Sequence, residues 1–227
     1  DKSPSNDGIF LIDILKNKSK LILSLNYLSK IDPHQSMIDA DHYINHISWN
    51  PSGNRFLFFH LWSNPKRRYS RLFTCDKNGE DLFLLENSEN VSHYSWKNDE
   101  EIIMTTHSKK QGVRYSIYYD NTNKREIIAE DVLNRDGHPS CQSGKENIFI
   151  SDTYPDKYGE RKLFLFNIEN NKEYILGKFN SPLKYRSDYR CDLHPRWNND
   201  GTLVSFDSTH TNIRTLNIIK IEDSIYS

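Results

Sequence analysis

The chain has 227 residues, enough to bury a substantial core as one domain, and its 30 Lys and Arg against 31 Asp and Glu leave a net charge of −1. No overall field therefore selects nucleic acid or an anionic membrane, and the basic run Lys66-Arg67-Arg68 is only a local patch. No apolar stretch approaches the ~20 residues that cross a bilayer as a helix, and the start at Asp1 shows no signal peptide, a feature that processing would hide.

In chain order, Ile9-Phe10-Leu11-Ile12 and Leu21-Ile22-Leu23 flank a Lys16-Asn17-Lys18-Ser19 turn, so residues 8–25 read as two strands. A repeat then begins. His46, His93, His138 and His194 are each followed three positions later by Trp49, Trp96, Cys141 and Trp197, at successive spacings of 47, 45 and 56 residues. That period suits one four-stranded sheet of a β-propeller blade. His46-Ile-Ser-Trp49-Asn-Pro-Ser-Gly53 and His194-Pro-Arg-Trp197-Asn-Asn-Asp-Gly201 both lead through a tight turn into an apolar run. Third strands follow at Leu72-Phe73, Ile117-Tyr118, Leu163-Phe164-Leu165-Phe166 and Leu216 to Ile219, and polar turns such as Asp76-Lys77-Asn78-Gly79 lead to fourth strands. No long stretch carries the apolar spacing of a helix.

The expected fold is all-β, a propeller of four-stranded antiparallel blades with four to five blades in residues 1–227. The half blade is 8–25, the blades are 46–87, 93–131 and 138–179, and 194–221 is an incomplete blade. Unpaired sheet edges at both ends suggest part of a longer polypeptide, with a seven-bladed ring as the larger frame; a small ring closed by pairing the termini is the alternative.

Antiparallel pairing sets the start of an inner strand beside the end of the next. His46 is thus expected to face His60, His93 to face His107, His138 to face Asp152 to Tyr154, and His194 to face His210, while Arg71, Arg114 and Arg214 open third strands. One rim would gather imidazoles, a phenol and guanidiniums. For His46 and His93 a solvated strand end is the more economical role. Cysteines are few and odd in number, so disulfides do not organise the fold; Cys75 and Cys141 suit core packing. Cys191 and His194 are spaced to reach one ion, and with His138 and His210 they would complete a tetrahedral Cys-His₃ zinc site. Capping of strand ends by the same histidines explains that spacing equally well.

The His-x-x-Trp-x-x-x-Gly repeat resembles the TolB-like propeller repeat over most of the chain. Asp136-Gly137-His138-Pro139-Ser140, Asp152-Thr153-Tyr154-Pro155, Arg190 to Trp197 and Phe206-Asp207-Ser208-Thr209-His210 resemble propeller polysaccharide lyases of the oligogalacturonate and especially the ulvan lyase groups. Similar segments also resemble proteins associated with bacterial surface polysaccharides.

The lyase resemblance implies β-elimination at a uronic acid. Such chemistry must neutralise the carboxylate, remove the C5 proton and protonate the departing glycosidic oxygen. It implies Tyr154 as acid/base, with a phenol pKa depressed by neighbouring cations; position on the rim adds His60 and His107 as base or carboxylate-facing residues and Arg114 as neutraliser. The resemblance also makes a zinc at His138, Cys191, His194 and His210 structural, and an extracytoplasmic location, periplasmic or secreted, would follow. The expected partner is an acidic polysaccharide or oligosaccharide, with no nucleic acid and no membrane insertion. A non-catalytic acidic-glycan binder in surface-polysaccharide assembly ranks second and a protein-interaction scaffold third. Ser140 and Ser208 follow strand motifs rather than a nucleophile elbow, and neither a Gly-rich phosphate loop nor an Asp-x-Asp-x-Asp-Gly calcium loop occurs.

Overall fold

A computed structural model describes residues 2–65, 67–88, 90–108, 110 and 112–222; Lys66 of the basic run lies outside them. Among the described residues the chain forms five antiparallel sheets. Strands β1 (Gly8–Asp13) and β2 (Lys18–Ser24) pair alone. Three four-stranded sheets follow in strict chain order: β3 (Asp41–Trp49), β4 (Arg55–Asn64), β5 (Arg67–Asp76) and β6 (Phe83–Glu86); β7 (Val91–Trp96), β8 (Glu101–Ser108), β9 (Gly112–Tyr119) and β10 (Arg125–Ile128); and β11 (Ser140–Cys141), β12 (Ile148–Asp152), β13 (Glu160–Asn167) and β14 (Lys172–Asn180). Strands β15 (Arg196–Trp197), β16 (Leu203–Ser208) and β17 (Thr215–Lys220) make a three-stranded sheet. Sequential antiparallel strands in sheets of four are the blades of a β-propeller. One short helix, Leu25–Ser29, is capped by Ser24, whose hydroxyl accepts from the Tyr27 amide. No helix among the described residues is long and apolar enough to cross a membrane.

Contacts divide the chain into two compact units, one running to Val91 and including Asp120–Asn123, the other comprising Ser92–Tyr119 and Lys124 onward. In the first, Ile9, Leu23 and Leu28 pack against Phe56, Phe58, Phe73 and Cys75 of the β3–β6 blade. Burial pushes the Cys75 thiol up to about 12, so it behaves as a small hydrophobe.

Behind this core lies a polar lock. Arg71 is fully buried and donates from Nη1 to the carbonyls of Ile31 (2.8 Å) and Asp32 (3.0 Å), from Nη2 to that of Leu28 (2.8 Å), and from Nε to His60 Nδ1 (3.1 Å). Since Nδ1 of His60 accepts, its proton sits on Nε2 and is donated to His42 Nδ1 at 2.9 Å. Burial, helped by the charge of Arg71, lowers His60 to about 2, and burial lowers His42 as well. The expected His46–His60 pairing does not form. A bulge between Asn45 and Ser48 slips the register so that His60 opposes Ile44, while His46, at φ 52°, sets its ring edge-on to Phe59. His60 is therefore a neutral core residue closed off from solvent.

In the second unit the β11–β14 blade is covered on both faces. Phe149, Phe164 and Phe166 pack with Ile103, Tyr115, Ile117 and Ile128, while Ile148, Ile150 and Leu165 pack with Val204 and Ile221. The unbroken Leu163-Phe164-Leu165-Phe166 run follows from this, since alternate side chains serve opposite cores. Cys141 packs against the first of them, and burial raises its thiol to about 12. Inner strands β11 and β15 are only two residues long, so the chain before each arrives as extended coil.

The buried His42–His60 pair makes the first unit acid-sensitive. Both imidazoles have folded pKa values below the unfolded value near 6.5, so their contribution is complete above that value and is lost as pH falls through it toward the folded values. Unfolding measured by denaturant across this range should show stability falling at up to ~1.4 kcal/mol per pH unit for each such histidine. His60→Gln keeps an acceptor for Arg71 and a donor for His42 and should reduce that slope; an unchanged slope would contradict the assignment.

Candidate functional site

The second unit holds a connected set of carboxylates and imidazoles. Ser92 and His93 lie on β7 and Thr105 and His107 on β8, whereas Asp136 and His138 come from the coil before β11. That coil passes so close to the end of β12 that a Cβ on Gly137 would meet the Asp152 carbonyl oxygen at 1.8 Å, which is why a glycine stands there.

Asp136 is the hub. Its Oδ1 accepts from Thr105 Oγ1 (2.8 Å), the Gly137 amide (3.0 Å) and His93 Nδ1 (3.2 Å); its Oδ2 accepts from Ser92 Oγ (2.5 Å) and His107 Nε2 (3.0 Å). Burial alone would raise its pKa, but the bonds from His107, His93 and Ser92 outweigh it and hold the carboxyl well below the usual range. His107, with 48% of its side chain exposed, is correspondingly raised by its bond to Asp136 against a smaller cost of burial.

His93 Nδ1 faces Ser92 Oγ (3.0 Å) and Asp136 Oδ1 (3.2 Å), which suits the tautomer with its proton on Nδ1; that tautomer presents the lone pair of Nε2, which lies 3.4 Å from the Tyr154 hydroxyl. Asp136, His93 and Tyr154 thus form a continuous carboxylate–imidazole–phenol relay. Burial raises the Tyr154 phenol to about 12, with Asp136 adding to the effect and Arg190 opposing it. The expectation of a cation-depressed phenol is corrected: Arg190 lies 4.6 Å over the ring but does not overcome burial. At neutral pH Tyr154 is a proton donor.

A second buried carboxylate, Asp152, accepts from the amide and Nδ1 of His138 (both 2.8 Å to Oδ1) and from the amide of His194 (3.0 Å). Burial would raise its pKa; these bonds and the nearby His138 bring it down. The His138 ring centroid lies 4.2 Å from that of His93 and 3.8 Å from that of His194. His194, at φ 43°, has one ring face desolvated against His138, which lowers its pKa while its outer edge stays exposed.

Of the expected catalytic residues, Tyr154 and His107 meet through Asp136 and His93. His60 belongs to the core of the first unit. Arg114 turns elsewhere, with Nη1 donating to its neighbour's carbonyl at Val113 and Nε 3.7 Å from Glu130. The four expected zinc ligands are brought together only in part. His138 and His194 are adjacent, but the Cys191 thiol points to the Asp192 carbonyl at 3.9 Å and its pKa is raised by burial. His210 bonds Ser208 Oγ through Nδ1 (2.8 Å) and sets its ring against Phe179. Among the described residues no three His, Cys, Asp or Glu side chains form a group able to hold a metal, so the set as arranged does not fit a tetrahedral zinc. Sequence reasoning expected His138 to face Asp152, as it does, but missed Asp136 as the acceptor shared by His93 and His107 and Arg190 as the cation over Tyr154, although Asp136 stands two positions from His138.

No family model and no curated protein sequence matches the chain. Solved structures that share its fold include an oligogalacturonate lyase in complex with manganese, 14% identical over 95% of this chain and 54% of that one, with a TM-score of 0.69. An oligogalacturonate lyase from Vibrio parahaemolyticus is 11% identical over 95% of this chain and 72% of its own, with a TM-score of 0.57. TolB from Acinetobacter baumannii is 13% identical over 94% and 51%, with a TM-score of 0.55. The chain spans about half the length of the first of these, 54%. At such identities the likeness is one of fold, a β-propeller of the kind found in TolB and in oligogalacturonate lyases.

Coupling within the hub is measurable. Histidine NMR titration should place the His107 pKa above the ordinary value near 6.5, and Asp136→Asn should bring it back down. A His107 titration unaffected by that substitution would remove Asp136 as its partner.

Proposed function

We propose that this propeller acts on uronate-containing polysaccharide by β-elimination, with Tyr154, His93 and Asp136 moving the protons. The observation that carries the reading is the 3.4 Å approach of His93 Nε2 to the Tyr154 hydroxyl, with Asp136 behind the imidazole. Fold likeness to oligogalacturonate lyases supports it, and the lyase-like motifs supply Tyr154.

In this scheme His93 Nε2 removes the C5 proton of the uronate, and the imidazolium formed is stabilised by the ionised Asp136. The C5–H electron pair becomes the C4–C5 double bond, and the C4–O bond breaks toward the glycosidic oxygen. Tyr154 gives its proton to that oxygen. The imidazolium then returns a proton to the phenolate across the same contact, so the cycle closes with no net proton change. His107 and Arg190 serve as the cations that neutralise the uronate carboxylate and acidify C5. An extracytoplasmic location accords with such a substrate.

A base and an acid this close act on one face of the sugar. Glucuronate carries its C5 hydrogen and C4 oxygen on the same face, whereas galacturonate carries them on opposite faces. Incubation with glucuronate-containing polysaccharide should therefore yield an unsaturated product absorbing in the ultraviolet, with little from galacturonan. Tyr154→Phe and His93→Ala should each lower kcat by ~10²–10⁴-fold. Absence of product from ulvan, pectic and glycosaminoglycan substrates would end the lyase reading, and equal turnover of galacturonan would end the one-face relay.

A structural zinc enters this proposal only as a rearrangement, since Cys191 and His210 would have to turn toward the His138–His194 pair. Metal analysis of the purified chain tests it. Zinc bound stoichiometrically and lost in Cys191→Ser would show that the thiol closes such a site, whereas metal-free protein would remove zinc from the scheme.

A further inference from the structure

Beside Tyr154 the second unit opens into a cavity of about 240 Å³, bounded by Pro155, Asp156 and Gly159 of the turn after β12, by Arg161 at the start of β13, and by Ser181, Tyr185, Arg186, Ser187 and Arg190. Three guanidiniums line it: those of Arg161, Arg186 and Arg190. Arg161 is unusual because it is only 2% exposed, yet its one polar contact is from Nε to Asp192 Oδ1 at 3.4 Å. Its terminal nitrogens have no acceptor among the described residues. Arg190 takes the other oxygen of the same carboxylate at 2.8 Å, so a single anion serves two cations. The remaining acidic group, Asp156, turns into its own loop, where its Oδ1 accepts from the amides of Tyr158 and Glu160. Arg186 is exposed and has no acceptor among the described residues.

A guanidinium this far out of solvent, with its terminal N–H groups unpaired at a cavity wall, strongly attracts a planar oxoanion. The fork of Arg161, with Arg186 beside it, matches the two coplanar oxygens of a carboxylate or two oxygens of a sulfate ester. The position is informative too. Arg190 lines the cavity and lies over the Tyr154 ring, so an anion here adjoins the proposed proton donor.

We propose that this cavity is an anion subsite that holds the acidic substituent, carboxylate or sulfate ester, of a sugar residue neighbouring the one that is cleaved. The assignment rests on the acidic-glycan reading above and extends it from one uronate to at least two charged positions along the chain.

The test is calorimetric binding to Tyr154→Phe protein, which keeps the cavity and does not turn over. The probes are a glucuronate-containing tetrasaccharide, its carboxyl-reduced counterpart, and that counterpart bearing sulfate esters. The acidic probe should bind about tenfold to a hundredfold more tightly than the reduced one, and recovery of affinity by the sulfated probe would identify sulfate as an accepted source. Both Arg161→Gln and the exposed Arg186→Gln, placed in the same background, should weaken that preference. Equal binding of acidic and reduced probes, or full preference retained in both arginine variants, overturns the subsite. The lyase reading fails separately: a preserved charge preference without unsaturated product from the unmodified chain supports the subsite and removes the elimination chemistry, whereas product formed without any preference removes the subsite alone.

Discussion

Two buried carboxylates, Asp136 and Asp152, hold the functional face of the second unit together. Asp136 lies in coil and Asp152 is the last paired residue of β12, opposite Leu163; the side chain of each collects donors from separate pieces of chain. Asp136 joins β7, β8 and the coil before β11, and Asp152 ties the end of β12 to the coils that precede β11 and β15. A buried anion without donors would cost several kcal/mol. With five donors on Asp136 and three on Asp152 each becomes a fastener, because moving any one segment strips partners from a buried charge. The short inner strands depend on this. Two residues of pairing in β11 or β15 cannot alone position the histidines ahead of them, and the carboxylates supply the missing restraint.

The same two residue types are put to opposite use in the two units. In the first, His60 and Arg71 are sealed in the core and their hydrogen bonds go to backbone carbonyls and to His42, so desolvation decides and the imidazole stays neutral. In the second, His107 keeps half its surface in solvent and is paired with an ionised carboxylate, so the charge interaction decides and its pKa rises. A histidine near the end of a second strand is thus no evidence of function by itself; what distinguishes the cases is a buried acid within reach.

This explains what could and could not be read from the sequence. Blade architecture was legible because its signals are local: alternation of apolar residues, tight turns and a repeat that recurs at blade length. Even the turn chemistry is written there. The asparagines Asn50 and Asn198, each following the repeat tryptophan, accept two amide protons across their turns, as Asn98 does one position later in its own repeat. Rim pairings were less legible because register is decided by single-residue bulges. One bulge after Asn45 separates His46 from His60, and no composition or spacing announces it. The hub was hardest, since Asp136 gathers partners 29 to 44 residues away in sequence. Its neighbourhood to His138 was visible, but its role was not.

The relay and the cationic cavity are mechanically continuous. Tyr154 ends the segment that leaves β12, and its carbonyl accepts from Arg135 Nη2 at 2.7 Å. The next residues, Pro155 to Gly159, form the cavity wall, and β13 then returns with Arg161 into its base. From the opposite side Arg190 spans both features, its guanidinium over the phenol ring and its Nε on the carboxylate that it shares with Arg161. An anion drawn toward Arg161 would therefore compete for the Asp192-bound cations and shift Arg190 relative to Tyr154. Since Arg190 is the cation that opposes the rise in the phenol's pKa, occupancy of the cavity would act on the acidity of the proton donor itself. In the proposed reaction, binding along the sugar chain and proton transfer at the scissile bond would in this way be linked through one side chain.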